Sequence, residues 1–201
     1  MEGIIIFIKN PEKGKVKTRL AASIGDDRAL EVYNKLVEHT LAVLEPLQVQ
    51  KYVFFDEERG DNNLLINGGF KKYIQQGDDL GERMSNAFKT VFKDGVERAI
   101  IIGSDCPEIT TELINDAFSN LTQYDIAIGP ASDGGYYLLG MKKLYSDLFS
   151  NKEWSSTTVL SDTIIDVQRM DLSFYPLPVL SDIDVEEDLE RWQMQLSADH
   201  I

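Results

Sequence analysis

The 201 residues, 43% of them hydrophobic and 27% charged, are enough for one packed domain and short for two. A formal net charge of −14 works against nucleic acid and anionic membrane surfaces as partners, because both would repel the chain at long range. The longest apolar runs, Ile4–Ile8 and Ala99–Ile102, fall far short of the roughly 20 residues that span a bilayer. No signal-peptide pattern opens the chain, and the single cysteine, Cys106, excludes an intrachain disulfide. The expectation is one cytoplasmic domain over residues 1–201, with no repeat or linker dividing it.

In chain order, Gly3 to Lys9 is rich in β-branched residues, the pattern of a strand buried on both faces. From Asp26 to Leu47 the residues Leu30, Tyr33, Val37, Leu41 and Leu44 recur at helical spacing, and Tyr52 to Phe55 reads as a second strand. Asp79 and Glu82 form a capping box for a helix that buries Leu80, Met84, Ala87, Phe88 and Val91. Arg98 to Gly103 is another fully buried strand, followed by a turn at Cys106-Pro107. Thr110 or Thr111 then caps a helix carrying Leu113, Ile114, Ala117, Phe118 and Leu121. Asp125 to Gly129 and Tyr136 to Gly140 are short strands around a glycine-rich bend. A helix from Ser156 to Met170 turns Leu160, Ile164 and Val167 inward, and Ser173 to Leu177 is a last strand. Asp184 with Glu187 offers a capping box for a final helix with Leu189, Trp192 and Leu196 on one face. This alternation predicts an α/β fold with a mainly parallel sheet and helices on both faces. Such sheets bind ligands outside the carboxyl ends of their strands, where the strand order reverses, so the informative residues are those that follow the strands.

After the first strand, Lys9, Lys13, Lys15, Lys17 and Arg19 crowd one short stretch of an acidic chain. The run is either a solvated basic loop or an anion site. In the second case its backbone N–H groups, with Lys9, Gly14, Lys17 and Arg19, suit a diphosphate or triphosphate, and Arg19 can hold two oxygens at once. It is not a Walker loop, because Gly14-Lys15 is followed by Val16 and lacks the upstream glycine. After the central strand, Ser104 joins the phosphate-binding candidates. Asp105 either holds a magnesium ion as a hard oxygen ligand or caps the following turn. Cys106 reads as a small buried hydrophobe, since His39 lies mid-helix and His200 in the tail, leaving no Cys-His pairing. In the bend, Asp133 either orients a sugar hydroxyl or acts as a base, and Gly134, Gly135 and Tyr136 form a substrate-binding turn, which is equally the pattern of a hairpin. Asp184 is explained as an N-cap, whereas Asp182 is not needed for one. If that segment folds back beside Asp105, three carboxylates meet, and a cation relieves their repulsion.

These segments resemble a bacterial family of GT-A (type A glycosyltransferase-like) proteins. It lies near the molybdenum-cofactor and 2-phospholactate nucleotidyltransferases. The matching pieces are Phe7-Ile8-Lys9 with Gly14-Lys15-Val16-Lys17-Thr18-Arg19-Leu20, Gly77 with Leu80-Gly81-Glu82-Arg83-Met84, and Ile102-Gly103-Ser104-Asp105-Cys106-Pro107. They continue with Gly129-Pro130-Ala131, Asp133-Gly134-Gly135-Tyr136-Tyr137, Trp154-Ser155, Thr158-Val159-Leu160 and Asp182-Ile183-Asp184 with Glu187-Asp188-Leu189. The resemblance implies a three-layer α/β/α nucleotide-diphospho-sugar transferase fold in which Asp105 binds the metal, Mg2+ or Mn2+. Gly103-Ser104-Asp105-Cys106 stands where a typical glycosyltransferase has Asp-x-Asp, so the second ligand is expected from Asp182 or Asp184, as in the related nucleotidyltransferases. The Lys17-Thr18-Arg19-Leu20 run is similar to the phosphate-binding segment of phospholactate guanylyltransferases. The implied activity is metal-dependent glycosyl transfer from a nucleotide-sugar to a small acceptor, with Lys17, Arg19 and Asp133 as catalytic residues. Nucleotidyl transfer from a nucleoside triphosphate is the alternative, and a non-catalytic nucleotide-binding module a third.

Overall fold

A computed structural model describes residues 1–57 and 69–198. The elements are β1 (Glu2–Ile8), α1 (Thr18–Ile24), α2 (Asp26–Leu44), β2 (Gln50–Phe55), β3 (Phe70–Ile74), α3 (Leu80–Lys93), β4 (Arg98–Ile102) and α4 (Thr111–Asn120). They continue with β5 (Ile126–Pro130), β6 (Tyr136–Met141), a 3₁₀ turn (Ser146–Phe149), α5 (Val159–Arg169), β7 (Phe174–Pro176) and α6 (Glu186–Ala198). The seven strands form one sheet in the order β3-β2-β1-β4-β6-β5-β7. Every pairing is parallel except those of β6, which runs antiparallel to both β4 and β5.

The alternation of side chains along β1 sorts the helices into two layers. Ile4, Ile6 and Ile8 meet Tyr33 and Val37 of α2 and Ile114, Ala117 and Phe118 of α4. Ile5 joins Met84, Ala87, Phe88 and Val91 of α3 and Val167 of α5 on the opposite face. Each such fully buried aliphatic side chain contributes about 1.5–3 kcal/mol. The architecture is therefore three-layer α/β/α, as the alternation and the resemblance lead one to expect. A smaller cluster lies outside the main layers, where Leu189 of α6 and Ile183 pack on Leu20 of α1 and on Val32 and Leu36 of α2. Among the described residues no helix is long and apolar enough to cross a membrane.

Several boundaries differ from expectation for local reasons. The helix expected to reach Leu47 stops at Leu44: Glu45 still has helical geometry, but Pro46 has no N–H with which to continue the hydrogen bonding. Part of the stretch expected as a basic loop winds into α1. β3 is an addition, and both of its lysines, Lys71 and Lys72, are exposed. Leu80 is 41% exposed rather than buried, since it occupies the first helical position, just beyond the Asp79 cap. The Leu196 side chain lies outside the described residues.

Candidate functional site

The order of the sheet reverses between β1 and β4, and a crevice of about 810 Å³ opens at their carboxyl ends. One wall is the loop that leaves β1, whose base is fixed by hydrogen bonds at Lys9 and Asn10. The Lys9 N–H donates to the Tyr33 hydroxyl (2.9 Å), which in turn donates to the Lys9 carbonyl (2.8 Å). The next residue, Asn10, is buried and donates through its backbone N–H and Nδ2 to Asp56 Oδ1, at 2.8 and 3.0 Å. Lys17 then adopts the left-handed conformation (φ 49°) as N-cap of α1. That geometry costs a non-glycine residue about 1–2 kcal/mol, which the surroundings must offset. The conformation sends the Lys17 side chain inward, where it is 4% exposed and its Nζ lies 3.2 Å from Asp105 Oδ2. Two residues later Arg19 leaves α1 with its Nη1 2.7 Å from Asp184 Oδ2.

The acidic wall is drawn from three segments distant in sequence. Asp105 follows β4, Asp133 lies in the β5–β6 connection, and Asp182 and Asp184 precede α6. The Ile183 N–H donates to the Asp105 carbonyl at 3.1 Å and so carries Asp182 and Asp184 to the end of β4. Burial, then the charge of Asp105, pushes the Asp182 carboxyl up to about 7; Asp133 and Asp184 add to the rise, and Lys17 opposes it. Asp184 is not the cap expected for α6. Its carboxylate is engaged by Arg19, and Asp188 instead accepts the N–H groups of Asp184 (3.0 Å) and Val185 (3.1 Å). The thiol of Cys106 is 6% exposed and is pushed up to about 12, first by burial and then by Asp182, so it offers no thiolate at neutral pH.

For a divalent metal, the test is the donor set. Hard carboxylate oxygens of Asp105, Asp182 and Asp184 interact across one crevice; burial raises Asp182 most, and the charges of Asp105, Asp133 and Asp184 add a repulsion that a cation would relieve. Among the described residues, no three His, Cys, Asp or Glu side chains form a ready-made cage.

The third wall pairs the Asp133 turn with the segment ahead of α5. Asp133 Oδ1 accepts the Gly135 N–H at 2.9 Å, stabilising its own turn. Gly134 has φ +94° and lies so close to the next segment that a Cβ there would stand 2.1 Å from the Thr157 carbonyl oxygen. Trp154 is packed against Gly81 of α3, where a Cβ would meet the indole at 2.4 Å. The Tyr136 hydroxyl meets Met84 Sδ at 3.7 Å.

Of the residues expected from sequence, Lys9, Lys17, Arg19, Ser104, Asp105, Asp133, Gly135, Tyr136, Asp182 and Asp184 all line the crevice. Gly14 and Gly134 lie outside its lining. The first sits in the turn closed by Lys15 N–H to Glu12 O (3.0 Å), and the second is turned toward Thr157. Gln75, Arg83, Trp154 and Ser155 line the crevice without having been singled out for the site. Arg83 and Trp154 fall within the segments that carry the family resemblance, the one signal that could have found them.

This sheet order, with a basic loop facing carboxylates across its switch point, is the nucleotide-diphospho-sugar transferase fold. The chain belongs to the DUF2064 family, described as an uncharacterized protein conserved in bacteria, which it matches over residues 40–156. A crystal structure of a Desulfovibrio desulfuricans protein, provisionally named a nucleotide-diphospho-sugar transferase, superposes with a TM-score of 0.85 at 36% identity. That match covers 92% of this chain and 82% of the other. The fold is shared with 4-diphosphocytidyl-2C-methyl-D-erythritol synthase of Anaerococcus prevotii (TM-score 0.66, 13% identity, 98% of this chain and 96% of that one). It is shared also with the inositol-1-phosphate CTP transferase of T. maritima (0.60, 15%, 94% and 91%). No curated protein matches the chain in sequence.

Proposed function

We propose that this chain transfers a glycosyl group from a nucleotide-diphospho-sugar to a small hydroxyl-bearing acceptor, with the help of a divalent cation. The observation that carries the reading is the meeting of Lys17 and Arg19 with Asp105, Asp182 and Asp184 in one crevice at the switch point. Lys9, Lys17 and Arg19, with Ser104 beside them, bind the diphosphate. The cations stabilise the charge that develops on the nucleoside diphosphate as its bond to the sugar breaks. Asp105, with Asp182 or Asp184, would hold Mg2+ or Mn2+, which when bound neutralises phosphate charge. Asp133 stands beside Gly135 and Tyr136 to orient the acceptor hydroxyl, or to take its proton as the new glycosidic bond forms. The name of the D. desulfuricans relative points the same way.

Nucleotidyl transfer is the second reading. It is favoured by the number of cations lining the crevice, Lys9, Lys15, Lys17, Arg19 and Arg83, which suits a triphosphate. Incubation with nucleotide-sugars and with nucleoside triphosphates, in Mg2+ or Mn2+, separates the readings. Sugar-nucleotide consumption without pyrophosphate is expected; pyrophosphate release without sugar consumption refutes glycosyl transfer. Saturable nucleotide binding with no turnover of either class favours a non-catalytic module instead.

A further inference from the structure

The two cations best placed to hold phosphate are each already paired with a carboxylate best placed to hold metal. Lys17 Nζ lies 3.2 Å from Asp105 Oδ2, and Arg19 Nη1 lies 2.7 Å from Asp184 Oδ2. We propose that Lys17 and Arg19 are internal counter-ions of Asp105 and Asp184, so that the crevice takes a metal–diphosphate chelate as one ligand and discriminates against either half alone. The inference rests on the reading that this is a metal-dependent nucleotide site and adds to it the form in which the ligand is recognised.

The argument is one of charge compensation. A chelate brings a cation for the carboxylates and an anion for the lysine and arginine, so both ion pairs exchange partners and none is left open. A free metal ion that captures Asp105 must displace the Lys17 ammonium and give it nothing in return. A free diphosphate that draws Lys17 away leaves Asp105 uncompensated beside Asp182, Asp133 and Asp184. Stranding a charge costs most where water is scarce: the Lys17 side chain is 4% exposed and that of Asp105 47%, so the larger cost falls on a stranded lysine and the smaller on a stranded aspartate. The left-handed backbone of Lys17 and its position at the head of α1 restrict where its ammonium can go. The Arg19 pair is more open, its side chain 69% exposed, and makes the smaller contribution. Opposite charges at such separations shift an ionic equilibrium by about one to three powers of ten, and couplings between sites run from about 5- to 150-fold. The penalty is therefore on the order of tenfold for the metal alone and severalfold for the diphosphate alone.

The test gives the protein one half of the chelate at a time, so complex formation in solution plays no part. Mn2+ binding without nucleotide, followed by the electron paramagnetic resonance of the free ion, is compared among wild type, Lys17→Met, Arg19→Met and Lys15→Met. Lys15 is the control, a cation lining the same crevice but paired with Glu12 at 3.2 Å. Lys17→Met is expected to bind Mn2+ on the order of tenfold more tightly than wild type, Arg19→Met severalfold more tightly, and Lys15→Met less than about twofold. In the reciprocal arm, calorimetry measures inorganic pyrophosphate in chelator. Asp105→Asn is expected to bind it severalfold more tightly, whereas Asp133→Asn, the same charge change in the same crevice, gains less than about twofold. Unchanged Mn2+ affinity in Lys17→Met and Arg19→Met, or equal gains from Asp105→Asn and Asp133→Asn, would overturn the proposal. Arg19 is exposed enough that its variant keeps the test open if Lys17→Met does not fold. A wild type that binds no Mn2+ and pyrophosphate even when both are supplied refutes the underlying functional reading. A wild type that binds the pair, with an Arg19→Met variant no better at holding the metal, refutes the counter-ion role alone.

Discussion

Replacing Gly134 with alanine tests how closely the Asp133 turn is fitted to the segment that opens α5. Two separable costs are expected. The residue has φ +94°, a region that costs an L side chain about 1–2 kcal/mol. The new Cβ would also stand 2.1 Å from the Thr157 oxygen and 2.7 Å from its carbonyl carbon. Both are backbone atoms, so no rotamer change relieves the contact, and the two segments must part. Parting them also loosens the bond from the Leu160 N–H to the Gly134 carbonyl, which is 2.9 Å long. Overpacking of this kind adds about 1–3 kcal/mol, for a total near 3 kcal/mol. In a domain of this size that lowers the melting temperature by about 6–12 °C. Gly95→Ala separates the two costs, because Gly95, just past the C-terminal end of α3, has φ +86° but only the flexible tip of Met1, at 3.8 Å, near the added carbon. It is expected to lose about 1 kcal/mol, from backbone strain alone. Urea unfolding of both variants, read as midpoint shifts at constant slope, gives the difference directly. Destabilisations that agree within about 1 kcal/mol would show that the two segments are not tightly apposed and would refute the reasoning.

Three further expectations concern separate parts of the molecule. Asp125 keeps its carboxyl down at about 2: burial works against ionisation, but hydrogen bonds from Ser173 and the ammonium of Lys142 outweigh it. Because the folded value lies below the ordinary one, the stabilisation is full above about pH 5 and is lost as the pH falls toward 2. Asp125→Asn should cost about 1–2 kcal/mol at pH 7, allowing for partial solvent screening, and the gap to wild type should close on acidification; a gap independent of pH contradicts this. Tyr33→Phe removes both hydrogen bonds to Lys9, with an expected loss of about 1–3 kcal/mol and weaker binding of Mn2+-pyrophosphate; undiminished ligand binding would mean the loop holds its shape without the clamp. The Cys106 thiol should react with a disulfide reagent at pH 8 far more slowly in the native protein than in urea, and rapid native labelling would contradict its burial.

The parts of the fold legible in the sequence were those set by local pattern. β1 and β4 are apolar on both faces because both are central strands, and α3 carries its own start signal, Asp79 accepting the Glu82 N–H at 2.8 Å. β3 was not legible. It is an outer strand whose exposed Lys71 and Lys72 break any apolar alternation, so its pairing with β2 decides its structure. Asp184 shows the limit of motif reading in the site itself. The spacing to Glu187 fits a capping box, yet Arg19 takes that carboxylate from 165 residues away and Asp188 accepts the N–H groups at the head of α6 instead. Leu80 fits a helical stripe but falls at the first position, where the stripe faces the crevice mouth. Arg83, Gln75 and Trp154 reach the crevice through tertiary packing, and no spacing rule connects them to Lys17 or Asp105.

The hydrogen bond from Ile183 to Asp105 has a consequence for how the molecule comes into being. Synthesis delivers β1, β2 and β4 before the segment bearing Asp182 and Asp184, which must then close a long loop onto the end of β4. A polypeptide still short of that segment can pair β1 with β2 and β4 and yet carry a basic notch with too few acids around it. The full set of acids along the crevice is therefore assembled only once that segment has docked on the end of β4.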